Sequence, residues 1–249
     1  MLLYINSMKE IIFDHVSLFY ENSNKQIITG LNDLSLSFPF NKINVIVGYS
    51  GCGKTSLLKC LTDQLVYESN IYFDDVNLNK IPLKDRKISY VSQDIILYPK
   101  LNVYENIIFP LKNGKINYEE ADQKVKRIAK ELEIDLLLTR NIKYLSIGQK
   151  SRVQLAKALV KDSDIYILDE FDKNLDPVVS KKIITKFIKN LKEENKTLIM
   201  ATHNIEQATS LADYIYVINE GKLEGVFTPK EFISSDNKIV NSLLENEKK

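Results

Sequence analysis

The chain has 249 residues, enough for one domain, or one domain carrying a subdomain, around a substantial core. Its net charge of +1 supplies no basic field for nucleic acid, and it carries no acidic tail. Positive charge is nearly all lysine, with Arg only at 86, 127, 140 and 152, and the scarcity of arginine forks argues further against a nucleic-acid partner. The two cysteines, Cys52 and Cys60, sit roughly 10 Å apart along a helical rise, too far for a disulfide, and free thiols suit a reducing cytosol. The opening MLLYINSMKE lacks a long apolar core, so no signal peptide is expected. No run approaches the ~18 apolar residues of a membrane span, and the chain reads as a soluble cytosolic protein.

In chain order, the alternating runs IIFDHVSL and LNDLSLSF within residues 11–38, separated by the polar ENSNKQ, predict antiparallel strands. Ile43 to Val47 is a short, nearly continuous apolar run that predicts a strand buried on both faces of a parallel sheet. Gly48-Tyr49-Ser50-Gly51-Cys52-Gly53-Lys54-Thr55 then fits G-x-x-x-x-G-K-[ST], ahead of a helix-like run from Thr55 to Leu61. Glycines in such a turn let backbone N–H groups point at phosphate oxygens, and the following helix start favours negative charge. Lys54 can reach the β- and γ-phosphates, and the Thr55 hydroxyl can ligate Mg²⁺. These eight residues and the adjacent Ser56 are the candidate contacts to a nucleotide.

Ile88 to Val91 predicts a second buried strand. Beyond it the pattern turns helical: Ala121, Val125, Ile128, Ala129 and Leu132 share one face, and Val153, Ala156, Leu159 and Val160 another. A mostly helical insertion over about 94–160 follows from this. Within it, Leu145-Ser146-Ile147-Gly148-Gln149 precedes a helix from Lys150 to Val160. Ser146 is placed to cap that helix, whose first N–H groups suit an anion, though a well-capped helix alone explains the same residues. Ile165 to Leu168 predicts a strand that delivers Asp169 and Glu170 to the rim of the sheet, where open α/β folds bind ligands. There Asp169 can hold Mg²⁺ or its water, and Glu170 can accept a proton from an attacking water; a solvated acidic turn is the plainer alternative. Val178 to Leu191 predicts a helix, and Thr197 to Ala201 and Tyr214 to Ile218 predict strands. From about Ser234 the polar tail, 234–249, is expected to fray or form a loosely attached helix. The fold class is α/β: a phosphate-loop NTPase core with a mostly parallel sheet, an N-terminal antiparallel β-subdomain and the helical insertion.

LSIGQ resembles the signature L-S-G-G-Q of the ABC ATPase family. The resemblance runs from residue 11 to about 233 and takes in, in the family's order, the phosphate loop, Gln93 in YVSQD, LSIGQ, the strand ending at Asp169-Glu170, Asp176 in KNLD and His203 in ATHN. It implies one ABC ATPase domain over 1–233. It also implies that Tyr20, with Phe19 as the neighbouring candidate, stacks on adenine, and that Gln93 joins Thr55 and Asp169 around Mg²⁺. Asp176 would organise the partner's site, and His203 would contact the γ-phosphate and align water beside the catalytic Glu170. Family members form head-to-tail dimers in which the signature of one subunit, here Ser146, Gly148 and Gln149, closes on the phosphate loop of the other. ATP then acts as an adhesive that hydrolysis weakens.

A finer resemblance lies in KDRKISYVSQDIILYPKLNVYENIIFPLK, which looks like the ATPase subunits of sugar importers. In those proteins this surface receives a short helix of the membrane permease, while ordinary core and turn residues account for part of it. Such subunits usually carry a further C-terminal regulatory β-domain, for which the sequence has no room; shorter relatives serving sulfonates, nitrate or amino acids stay open. Ile147 replaces the first signature glycine, Phe171 a proline after the glutamate, and Lys173 a small residue before NLD. The resemblance thus implies an ATPase on the cytoplasmic face of the membrane, working with permease subunits, a second ATPase subunit and a substrate-binding protein. A soluble ABC ATPase of DNA repair or translation, and a regulatory ATP-binding module with little turnover, are the alternatives.

Overall fold

A computed structural model describes residues 9–21, 25, 27–112 and 116–246. Residues 1–8 of the opening stretch and most of the ENSNKQ connection lie outside the described residues.

Two sheets enclose one short helix. Strands β1 (Glu10–Glu21) and β2 (Ile27–Pro39) form a long antiparallel pair, as their alternation predicts, and β4 (Glu68–Phe73) and β5 (Val76–Asn77) extend it in the order β2-β1-β4-β5. The second sheet contains β3 (Ile43–Val47), β6 (Ile88–Val91), β7 (Ile165–Asp169), β8 (Thr197–Ala201), β9 (Tyr214–Asn219) and β10 (Lys222–Phe227). Its order is β10-β9-β3-β8-β7-β6, with every pair parallel except β10 on β9. Strands β3, β7 and β8 are buried at every residue, which is why they read as nearly continuous apolar runs rather than alternating ones.

Helix α1 (Lys54–Cys60) lies between the sheets, its Leu57 and Leu58 wholly buried among Phe13, Phe38, Ile167 and Tyr216. The rings of Phe38 of β2 and Tyr216 of β9 pack 4.6 Å apart in a tilted pair, and the Tyr216 hydroxyl donates to the Ser37 carbonyl at 2.6 Å, tying the two sheets together. Arg86, 2% exposed, donates to both oxygens of Asp63 and to the Leu61 carbonyl, so the end of α1 is fixed to the approach of β6. Such a buried fork needs all its bonds, because a lost partner strands a charge away from water.

The opposite face of the large sheet carries helices. Between β6 and β7 come α2 (Val103–Ile108), α3 (Tyr118–Glu131) and α4 (Ile147–Leu159). The face of α3 read from the sequence is buried at all five positions; on the face read for α4, Leu159 is only partly buried. Asn102 caps α2 in a reciprocal box with Glu105, and Ser146 caps α4 in the same way with Gln149. Helix α5 (Pro177–Glu193) follows β7, and α6 (Ile205–Leu211) follows β8.

The C-terminal segment departs from expectation. After α7 (Pro229–Ile233), residues Lys238–Asn246 form helix α8, whose Val240 and Leu243 are 0% and 7% exposed in the same core as Phe232 and Ile215. Ile239, Val240, Leu243 and Leu244 recur at helical spacing and outweigh the polarity of the residues between them, so the helix is packed rather than loosely attached. Leu243→Ala is therefore expected to lower unfolding free energy by ~2–3 kcal/mol in urea titrations. A frayed tail would show a change within ~0.5 kcal/mol.

Candidate active site

The carboxyl ends of three adjacent strands build the site. β3 runs into the phosphate loop, β7 ends at Asp169, and β8 leads to His203. Two glycines fix the loop's path. Gly48 has φ +153, and a Cβ there would stand 2.1 Å from the Ile218 carbonyl oxygen; Gly53 has φ +111, with its hypothetical Cβ 2.5 Å from the Gly30 carbonyl. Neither position admits a side chain.

Lys54 is 4% exposed, and its ammonium donates to the carbonyls of Gly48 at 2.9 Å and Tyr49 at 3.1 Å. The same nitrogen lies 3.7 Å from Glu170 Oε1. Glu170 also accepts from His203 Nε2 at 2.5 Å. That bond, helped by the charges of His203, Lys54 and Lys173, holds the Glu170 carboxyl below the ordinary glutamate range against burial, which pushes the other way. Its backbone sits at φ +44, a conformation that costs a non-glycine residue about 1–3 kcal/mol and recurs at functional sites. The Glu170 N–H donates to the Ala201 carbonyl, which pins the turn to β8.

Asp169 is 1% exposed. Its Oδ1 accepts from the Thr55 hydroxyl at 3.0 Å and its Oδ2 from the Tyr90 hydroxyl at 3.1 Å. Burial raises its pKa, while these two bonds act in the opposite sense. Burial, with the nearby Asp169 charge, also drives the Tyr90 phenol upward, so it is a donor at neutral pH. A buried carboxylate beside a hydroxyl makes a hard oxygen donor set, which suits Mg²⁺.

The remaining residues singled out in the sequence are arranged around this cluster. Tyr20 is half-buried, with its hydroxyl bonded to Ser56 Oγ on α1 and its ring against Gly30, whereas Phe19 is 49% exposed. Tyr49, first after Gly48, donates to Ser242 Oγ of α8 at 2.6 Å. Cys52 is buried, and burial pushes its thiol up; Cys60 is pushed up to about 12 for the same reason. Ser50 and Gly51 complete the loop, and Gln93 follows β6, half-buried. Ser146, Gly148 and Gln149 open α4. Among the described residues no hydrogen bond or ion pair joins them to Lys54, Asp169 or Glu170. Gly148 instead abuts the Asn174 carbonyl, 3.1 Å from where its Cβ would stand. Asp176 caps α5, its Oδ1 accepting from the N–H groups of Val178 and Val179. Ile147 is 60% exposed, and Phe171 is buried in the core. Tyr90 and Ser242 were not among the sequence candidates.

The family model for ABC transporters matches residues 31–173, more than half of the chain. The chain belongs to the ABC transporter family. It is 32% identical over 225 residues to the oligosaccharides import ATP-binding protein MsmX of Bacillus subtilis (strain 168), covering 90% of this chain and 60% of that protein. It is 37% identical over 206 residues to the molybdate/tungstate import ATP-binding protein WtpC of Pyrococcus abyssi (strain GE5 / Orsay), covering 82% and 60%. The ABC chain thus spans about 60% of the length of these relatives. Among solved structures, the dimer of MJ0796, a bacterial ABC transporter cassette, superposes with a TM-score of 0.80 at 26% identity, covering 88% of this chain and 98% of that one. A second structure of MJ0796, in a post-hydrolysis state bound to ADP and Pi, has the same TM-score at 25% identity. The chain therefore carries an ABC-type ATPase domain, whose phosphate-loop fold and antiparallel β-subdomain agree with the expected class.

Proposed function

We propose that this chain binds and hydrolyses ATP to power import through separate membrane permease subunits, working at the cytoplasmic face of the membrane beside a second ATPase subunit and a substrate-binding protein. The observation that carries the ATPase reading is the convergence of Lys54, Asp169, Glu170 and His203 at the ends of β3, β7 and β8. The import roles that the relatives' names carry support the direction. Thr55, Asp169 and Gln93 are the residues that would hold Mg²⁺, which when bound neutralises charge on the β- and γ-phosphates.

Each residue then has a task. Lys54 leaves the carbonyls of Gly48 and Tyr49 for the phosphates. Glu170, ionised at neutral pH, accepts a proton from the water that attacks the γ-phosphorus, while the bond from that phosphorus to the ADP oxygen breaks. His203, held on Glu170 Oε1, keeps this carboxylate aimed and contacts the γ-phosphate. Tyr20 stacks on adenine. Ser146 and Gly148 of a second subunit complete the γ-phosphate site, and Asp176, through the start of α5, shapes the facing surface.

Coupling to the permease uses the stretch from Ile95 to Phe109. Part of it is core: Val103, Ile107 and Ile108 are buried. Ile96, Tyr98 and Phe109 are exposed, with the rings of Tyr98 and Phe109 4.3 Å apart and the Lys157 ammonium over Tyr98. Exposed aromatics clustered this way mark an interaction surface. Ile96→Glu and Phe109→Glu should leave ATP hydrolysis by the isolated subunit intact and cut transport in the assembled transporter by at least about tenfold, since a charge buried in an apolar contact is costly. Transport at the parent rate in both variants would remove this surface from coupling.

A further inference from the structure

The parallel register of β6 on β7 sets Tyr90 opposite Ile167. Side chains alternate along a strand, so Tyr90, Ile167 and Asp169 project from the same face of the sheet. That face is the one α1 covers: Ile167 shares a cluster with Leu57 and Leu58, and Tyr90 packs against it. Asp169 thus meets α1 and β6 at once. Thr55 donates to one of its oxygens and Tyr90 to the other, at 3.0 and 3.1 Å.

We infer that Tyr90 is a positioning residue for the metal-dependent part of ATP binding, holding Asp169 so that Thr55 presents its oxygen to the cation; the inference rests on the ATPase reading above. A threonine hydroxyl has one proton and two lone pairs. Thr55 offers lone pairs to a cation only while its proton points elsewhere, and Asp169 Oδ1 takes that proton. The terminal torsion of an aspartate is broad and two-fold, so one bond alone leaves the carboxylate free to turn. The Tyr90 bond to Oδ2 comes from a different element and stops that rotation. The same strand runs on directly to Ser92 and Gln93, so the position of β6 also sets that of Gln93, one of the residues that would hold Mg²⁺.

The test compares ATP affinity by calorimetric titration with Mg²⁺ and with excess chelator, in the full chain and in Tyr90→Phe and Tyr90→Met, with thermal melting as the check on folding. Both variants are expected to bind metal-free ATP within about twofold of the parent while losing about tenfold of the gain that Mg²⁺ confers, the size of one hydrogen bond to a charged group. Mn²⁺, followed by its paramagnetic resonance in place of Mg²⁺, should show the same loss of half-saturation. An unchanged gain in either folded variant overturns the inference. Equal losses with and without metal overturn it too, because Tyr90 would then only support the fold. A parent chain that binds no ATP under either condition would overturn the ATPase reading itself.

Discussion

Glu170→Gln is expected to lower ATP hydrolysis by about 10² to 10⁴, the contribution typical of a general base. The substitution keeps the size of the side chain and an oxygen that still accepts from His203 Nε2, so the turn at φ +44 and its bond to Ala201 should survive. What it removes is the ionised carboxylate that His203 and Lys54 hold in readiness. ATP affinity should stay near that of the parent, because Lys54, Thr55 and Asp169 are untouched. Steady-state phosphate release beside a binding titration separates the two effects. Hydrolysis at the parent rate would take the proton-acceptor role away from Glu170.

Lys54→Ala should have the second large effect. Lys54 is buried to within 4% and is the cation that donates into the phosphate loop, bonding the carbonyls of Gly48 and Tyr49. Loss of a charge-assisted bond to phosphate costs roughly 1.5 to 3 kcal/mol, up to about a hundredfold in affinity, and turnover should fall below detection. The variant also leaves Glu170 without a charged neighbour at 3.7 Å, so part of any change in stability would come from that carboxylate. Calorimetry showing parent-like ATP affinity would remove Lys54 from the phosphate site.

The parts of this structure that were legible in the sequence are those whose cause is local. The strands at Ile43–Val47, Ile88–Val91 and Thr197–Ala201 have the ends that the sequence predicts, because burial on both faces writes itself as a nearly continuous apolar run. The phosphate loop was legible because its shape depends on glycines at fixed spacing, and Gly48 and Gly53 show the clashes that enforce them. Illegible features depend on distant partners. Tyr90 looks like an ordinary strand aromatic until β6 pairs with β7 and brings Asp169, 79 residues away, to its hydroxyl. Strand β10 alternates apolar and polar residues but contains Gly225, which weakens a strand reading. The polar residues of 234–249 predict a tail that frays or a loosely attached helix, although Ile239, Val240, Leu243 and Leu244 mark one face of a packed one. Amphipathic spacing over 238–246 is the local signal of that helix. The cap that Asp176 provides to α5 is a local contact that its place just before Pro177 already suggests.

In the proposed function, ATP joins this chain to a second ATPase subunit through a site that neither completes alone. Light scattering on Glu170→Gln tests it most directly, since unhydrolysed ATP should hold the pair together. With ATP and Mg²⁺ the variant should have the mass of a dimer, and with ADP that of a monomer. Adding Ser146→Arg, which places bulk and charge at the start of α4, should return the ATP-bound sample to monomer. A variant that binds ATP tightly yet stays monomeric, both alone and with its permease present, would contradict the account.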